Sequence, residues 1–330
     1  MVYVLATDPT TAPELATAAH VWVNEAEGND TVTALIPTTE AAPNPADEQY
    51  ADLIEALAGH GVSDIVLAPL PTSAPVTGSV DVLSALASAQ PAPIVVAADP
   101  TGAEIAGRLA VRLNSGYLAD VTGLNPSTPD GYTARGSIFG GVYEVSTAVA
   151  GYSPIVALRP GAVAPIARPV TPQVRIHSST AATPHVTVTS YTAPVTQARP
   201  NLAQANVVIG GGRGIGSAEG FTSVVEPLAD LLGGAVGVTR DVVDEGWYSG
   251  TYQIGQTGVN ISPDLYINLG ISGAIHHTVG IVTSGTIVTI NNDEDAEIFD
   301  ITDFGVVGDV HEIVPALIAE LSARGVGAAA

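Results

Sequence analysis

The sequence predicts an α/β protein of two domains, an N-terminal parallel-sheet domain and a C-terminal doubly wound domain built to hold a ligand. Three observations carry this. Short apolar runs alternate with stretches of helical length from the first residues onward, the pattern of a parallel sheet covered by helices. A proline-dense tract then breaks the alternation before it starts afresh. Finally, Gly-rich strings recur in the second half: GGGRGIGS (Gly210–Ser217), IGQTG (Ile254–Gly258) and GISGAIHH (Gly270–His277). The first and third follow apolar runs of strand length.

Taken in order, Val2–Thr7 is an opening strand and Pro13 to about Glu27 a helix. Thr31–Ile36 is strand-like. Ala46–His60 is a helix that places Tyr50, Leu53, Ile54 and Leu57 on one face, with Pro45 at its start and Gly59 and Gly61 at its end. Asp64–Ala68 (strand), a helix near Ser79–Ala89, Ile94–Ala97 (strand) and a helix across Gly102–Leu113 continue the alternation. Beyond Tyr117 the periodicity weakens, and Ser137–Val145 and Ile155–Leu158 read as strands. Pro154, Pro160, Pro165, Pro169, Pro172, Pro184, Pro194 and Pro200 then favour edge strands or extended connections, since proline cannot donate to a ladder. His185–Tyr191 (HVTVTSY) alternates as an edge strand should. The domain boundary is placed near Arg199–Asn201, dividing residues 1–199 from 200–330. The second domain reads as strand Val207–Ile209, helix Ala218–Leu232, strands Ala235–Val238 and Leu265–Leu269, a short helix near Ala274–Val279, strand Thr286–Ile290 and a final helix Val310–Ala323 capped by Asp309.

Loops of small residues at strand ends let backbone amides approach a ligand closely, and several such loops on one sheet edge make a nucleotide site. A nucleotide-type cofactor is therefore expected on the C-terminal third. Composition narrows the chemistry. The chain has no cysteine, and its ten basic residues are all arginine. Thiolate metal sites, lysine phosphate loops and Schiff-base chemistry are excluded. A net charge of −23 argues against nucleic acid. No apolar run approaches the roughly 18 residues of a membrane span. The start, MVYVLATDP, has no basic residue and reads as a strand rather than a targeting segment, so cytoplasmic residence is expected.

Several catalytic signatures fail. GGGRGIGS lacks the spacing of G-x-G-x-x-G, Asp303-Phe304-Gly305 spells a kinase motif in a chain without lysine, and Pro315 stands where His311-Glu312 would need a second histidine. NNDEDAE (Asn291–Glu297) is out of register for a calcium loop. No G-x-S-x-G elbow is present, because Ala274 stands where its closing glycine would be.

A set of motifs does hold together: GGRG (Gly211–Gly214), TRxxVDxGW (Thr239–Trp247), QxGQTG (Gln253–Gly258), PxLYxxxGISGAIxH (Pro263–His277), INxDxxAxIFxxxDxG (Ile290–Gly305) and DxxxxVP (Asp309–Pro315). In this order and spacing they resemble the alpha-subunit family of electron transfer flavoproteins. Gly102–Leu124 and LRPGAV (Leu158–Val163) are similar to N-terminal segments of the same family. The resemblance implies a nucleotide-hydrolase-like N-terminal docking domain and a C-terminal FAD-binding domain. It also implies a beta-subunit partner that holds AMP. Electrons would come from dehydrogenases, such as the acyl-CoA dehydrogenases of fatty acid β-oxidation. They would pass singly to a membrane-bound quinone oxidoreductase, and the chain itself would be a carrier, not an enzyme. The rivals are a nicotinamide-dependent dehydrogenase and a non-redox nucleotide-binding regulator.

The family's cofactor-contacting positions carry over to Arg213, Thr239, Arg240, Ile254, Gly255, Gln256, Thr257, the run Ser272, Gly273, Ala274, Ile275, His276 and His277, and then Asn291, Asp309 and Val310. Thr239 stands where serine is usual and His276 where glutamine is usual. Arg240 is the cation expected to stabilise negative charge on a reduced flavin, against the alternative of a surface ion pair with Asp241 or Asp244. Thr257 offers a hydroxyl to the flavin N5, or is an ordinary turn residue. His277 offers a donor near N1, or is a satisfied structural histidine. Ser272 and the amides of Gly273–Ile275 face the diphosphate, cap a helix, or do both. Arg213 pairs with phosphate or with the isoalloxazine edge. Asn291, Asp309 and Val310 belong to the adenosine half, with capping of the last helix the alternative for Asp309.

Overall fold

The computed structural model describes residues 1–23, 31–39, 43–70, 74–128, 131–139, 141, 143–177, 189–190 and 199–327. The chain divides into two compact units, Met1–Ile138 with Glu144–Ala193, and Phe139–Tyr143 with Pro194–Ala330.

The first unit begins with β1 (Val2–Leu5), α1 (Ala12–Val21), β2 (Val32–Thr38), α2 (Glu48–Gly59), β3 (Asp64–Pro69), α3 (Pro75–Ala89), β4 (Ile94–Ala97) and α4 (Pro100–Leu113). Strands β5 (Tyr117–Leu124), β6 (Tyr132–Ile138), β7 (Tyr143–Val149), β8 (Ile155–Leu158) and β9 (Gln173–Ile176) complete it. They form one nine-stranded sheet in the order β7-β6-β5-β8-β4-β1-β2-β3-β9. Side chains of β1 alternate between its faces. Val2 and Val4 pack with α1 and α2, including the buried Tyr50, Leu53 and Leu57. Tyr3 and Leu5 pack with α3 and α4. Asp99 starts α4 by accepting from the Gly102 amide at 2.7 Å, a side-chain N-cap.

The sheet is mixed, not purely parallel as expected, because β6 runs antiparallel to β5. The strand read over Ser137–Val145 straddles the β6–β7 turn, where Phe139 takes a φ of +52°. Half-exposed β5 and exposed β9 lack the buried apolar run that marked the central strands. Strand β9, in the proline-dense tract, occupies the sheet edge beside β3. Helix α1 ends at Val21, short of Glu27, and residues 24–30 lie outside the described residues. The strand expected at His185–Tyr191 also lies outside them, apart from Thr189 and Ser190.

The second unit contains β10 (Val207–Gly211), then α5 (Ala218–Gly220), which runs through a π-helical turn at Phe221–Val225 into α6 (Glu226–Leu232). Next come β11 (Ala235–Val238), α7 (Arg240–Asp244), β12 (Leu265–Leu269), α8 (Ile275–Thr278), β13 (Thr286–Asn291), β14 (Phe304–Val307) and α9 (Val310–Ala323). The five strands are parallel in the order β11-β10-β12-β13-β14. This is the doubly wound order in which the chain reverses direction between the first and third strands. One face packs Ile209, Ile267 and Leu269 against Phe221, Leu228, Val310 and Val314. On the other face, Val208, Tyr266 and Ile287 are covered by Ile254, Ile261, Ile281 and Ile298 from irregular segments. Helix α7 and strand β14 were not anticipated. β14 is an edge strand with Phe304 and Val307 exposed, so it has no hydrophobic alternation to read.

Candidate functional site

The ends of β10 and β12 meet at the reversal point, and there the Gly-rich strings are in backbone contact. The Gly212 amide donates to Leu269 O at 2.9 Å and the Gly214 amide to Gly270 O at 3.0 Å. A Cβ on Gly212 would overlap the Gly270 carbonyl oxygen, so a side chain there would separate the two loops. The neighbouring strand ends are stitched to this point. Thr239 N donates to Gly211 O at 3.1 Å, Ile254 N to Val238 O at 2.9 Å, and Gly270 N to Ile290 O at 2.9 Å.

These loops enclose a cavity of about 440 Å³, within the range of small-molecule and cofactor sites. Of the positions singled out in the sequence, Arg213, Thr239, Arg240, Ile254, Gln256, Thr257, Ser272, Ala274, His276, His277 and Asn291 line it. Gly255, Gly273 and Ile275 are not on its wall, though the two glycines shape it. Gly255 adopts φ +124° and lies so close to His276 that a Cβ would strike that residue's carbonyl oxygen. Gly273 adopts φ +96° and lies as close to the Ile298 amide nitrogen. Asp309 and Val310 lie off the cavity. The Asp309 carboxylate accepts from the His311 amide at 2.8 Å and caps α9, while Val310 is buried in the core.

Among the described side chains, each partner leaves a definite capacity. Arg240 sits at the first turn of α7 with its side chain 65% exposed, and its Nε reaches Asp244 at 3.4 Å. Such an i,i+4 surface pair holds the guanidinium weakly. Thr257 Oγ1 accepts from Gln253 Nε2 at 2.8 Å, which leaves its O–H to donate elsewhere. His276 Nδ1 pairs with Gln256 Oε1 at 2.9 Å and joins α8 to the Gln256–Thr257 loop. Asn291 spends both ends of its amide on the site's own backbone: Nδ2 donates to Ile271 O at 2.8 Å and Oδ1 accepts from Asp293 N at 3.0 Å. Ser272 is not a helix cap, because Ala274 occupies the N-cap of α8 without a side-chain bond. Its carbonyl accepts from Ile298 N at 3.0 Å.

Thr239, on the wall, has a buried Oγ1 with no hydrogen-bond partner. An unsatisfied buried polar atom costs about 1–3 kcal/mol and calls for an explanation. Burial lowers the His277 pKa to about 4, with a hydrogen bond to the Ile254 backbone opposing the shift, so the ring is neutral at neutral pH. The sequence did not mark Gln253, Asn292, Asp293 or Ala296 as lining residues. Gln253, Asp293 and Ala296 belong to the motifs quoted above, which is the one signal that pointed near them.

Comparison with known proteins agrees with this architecture. Residues 201–282 match the electron transfer flavoprotein FAD-binding domain and residues 10–194 the electron transfer flavoprotein domain. The chain is 48% identical over 219 residues to the electron transfer flavoprotein subunit alpha of Mycobacterium leprae, covering 66% of this chain and 67% of that protein. It is 46% identical over 219 residues to the subunit of Mycobacterium tuberculosis, again covering 66% of this chain and 67% of the relative. The mitochondrial subunit of Arabidopsis thaliana is 50% identical over 123 residues, 37% of this chain and 34% of its own length. The chain therefore belongs to the alpha subunits of electron transfer flavoproteins, FAD-binding electron carriers rather than enzymes with a substrate of their own.

Proposed function

We propose that this chain pairs with a beta subunit, takes electrons from dehydrogenases such as acyl-CoA dehydrogenases, and passes them singly to a membrane-bound quinone oxidoreductase. The chain then divides into a docking domain, residues 1–199, and an FAD-binding domain, residues 200–330. One observation supports the site assignment above the rest. The cavity at the reversal point of the second sheet is lined mainly by residues of the segment matching an FAD-binding domain and carries an unpartnered polar atom on Thr239. FAD supplies the storage of reducing equivalents. The chain's own residues then have distinct tasks. Gly212, Gly214 and Gly270 keep side chains away from the floor so that a diphosphate can approach the backbone. Arg240 places a fixed positive charge at the rim, where it favours added negative charge on the ring system. Thr257 and His277 offer neutral donors to ring acceptors. Arg213, within the first glycine loop and on the cavity wall, pairs with phosphate or with the isoalloxazine edge. Among the described residues no helix is long and apolar enough to cross a membrane.

The test is co-expression with the beta subunit from the same genome and a visible spectrum of the purified complex. A yellow preparation with one FAD per alpha chain, bleached by an acyl-CoA dehydrogenase and its substrate and reoxidised by the quinone oxidoreductase, is expected. A complex that stays colourless after incubation with FAD would defeat the assignment.

A further inference from the structure

A chain of hydrogen bonds runs from the middle of the second sheet to the cavity wall, on residues that do not themselves reach the cavity. Asn268 on β12 is fully buried, and its Nδ2 donates to Oγ1 of the buried Thr289 at 2.8 Å. Thr289 is its partner in register on β13. Thr289 Oγ1 lies 2.5 Å from Thr302 Oγ1, and Thr302 Oγ1 donates to Ile298 O at 2.8 Å. Asn268, Thr289, Thr302 and Ile298 all lie off the wall. The Ile298 amide then donates to the carbonyl of Ser272, which is on it. Ser272 follows Asn268 by four residues, so the chain closes into a ring through the end of β12 itself.

One backbone carbonyl fixes every proton in this ring. Ile298 O can only accept, so the single hydroxyl proton of Thr302 is spent on it. The Thr302 oxygen then accepts from Thr289, and the Thr289 oxygen from the Asn268 amide. The other end of that amide, Asn268 Oδ1, is buried with no partner among the described residues. An apolar side chain at this core position would avoid that cost, so packing alone does not account for the asparagine. The far side of the ring bears on a tight place. Gly273 adopts φ +96°, and a Cβ on it would overlap the Ile298 nitrogen. A displaced Ile298 therefore moves the Ser272–Gly273 turn.

We infer that Thr302 is a positioning residue for the ligand site: ordered by Thr289 and Asn268, its hydroxyl holds Ile298, and Ile298 holds the Ser272–Gly273 turn in the shape that meets the bound cofactor. The inference rests on the cofactor assignment above for what the turn meets, but the hydrogen bonds can be measured without it.

The experiment is amide hydrogen exchange of the full chain by NMR, without FAD, followed by FAD titration. Thr302→Val keeps the shape and removes the hydroxyl, whereas Thr302→Ser keeps the hydroxyl. In Thr302→Val the Ile298 amide should exchange about 10-fold faster, with the β10 amides unchanged, as for a local opening. FAD affinity should weaken about 3- to 10-fold, as for loss of one oriented hydrogen bond. Thr302→Ser should restore both, and Thr289→Val should act in the same direction as Thr302→Val. A wild-type Ile298 amide that exchanges as freely as a solvent-exposed one would overturn the inference, whether or not the variants fold. So would Thr302→Val matching wild type in both measurements, a rise in exchange that includes β10, or a Thr302→Ser as impaired as Thr302→Val. Ile298 protection that depends on the hydroxyl in a chain that takes up no FAD would support the hydrogen-bond ring and sink the cofactor reading instead.

Discussion

The Gly214 amide donates to the Gly270 carbonyl at 3.0 Å and so fastens the loop after β10 to the loop after β12. These strands are neighbours in the sheet although β11 separates them in sequence. The bond therefore closes the crevice that the doubly wound order opens. Gly212→Ala should break this closure, since its Cβ would meet the Gly270 carbonyl, a backbone atom that cannot swing aside. A loss of about 2 kcal/mol or more in urea unfolding is expected, with FAD uptake abolished.

Gly107→Ala is the opposite case. Gly107 lies inside α4 with open space where a Cβ would go. The substitution should stabilise the N-terminal domain by about 0.5–1 kcal/mol, read as a higher melting temperature.

For Arg240→Ala, stability and redox behaviour should separate. The exposed pair with Asp244 is worth about 0.3–0.5 kcal/mol, so the melting temperature should hardly change. The flavin midpoint potential should fall, because a fixed cation at the cavity rim is lost. A redox titration that superimposes on the wild type would remove Arg240 from this role.

His277 ties stability to pH. Its folded pKa of about 4 lies below the ordinary 6.5. Between those values the unfolded chain binds a proton that the folded chain refuses. The stabilisation is thus complete above pH 6.5 and is lost as pH falls towards 4. Urea unfolding at pH 7 and 4.5 should show the wild type losing about 2–3 kcal/mol more than His277→Gln over that interval.

Asp309 separates capping from cofactor contact. Asp309→Ala removes the acceptor for the His311 amide and should cost about 1 kcal/mol, while Asp309→Asn should retain most of it. FAD affinity equal to wild type in both variants is expected from a carboxylate that serves α9 alone.

The second sheet was the most legible part of the chain. Ala235–Val238 and Leu265–Leu269 are short, buried on both faces and bounded by glycine or polar residues, so their ends show in composition alone. Helix α9 was equally plain, with Asp309 in front of it. The outer strands were not: β7 and β14 are largely exposed, and exposure erases the apolar rhythm that periodicity depends on. In the site, motif spacing picked out most of the wall, but it could not show how partners are distributed. Tyr266 reads in sequence as one more core aromatic on a strand. Only folding brings its hydroxyl to His277, and only folding shows that Ser272 precedes the α8 cap instead of forming it.

All the loops around the cavity leave their strands at the same end of the second sheet. The opposite rim, where the chain enters the strands, as at Gly233–Gly234 and Ser262–Asp264, contributes nothing to the wall. A spectroscopic label or a tether attached on that side would ride with the domain while leaving cofactor chemistry undisturbed. The molecule thus comes with a handle at the end remote from its working edge.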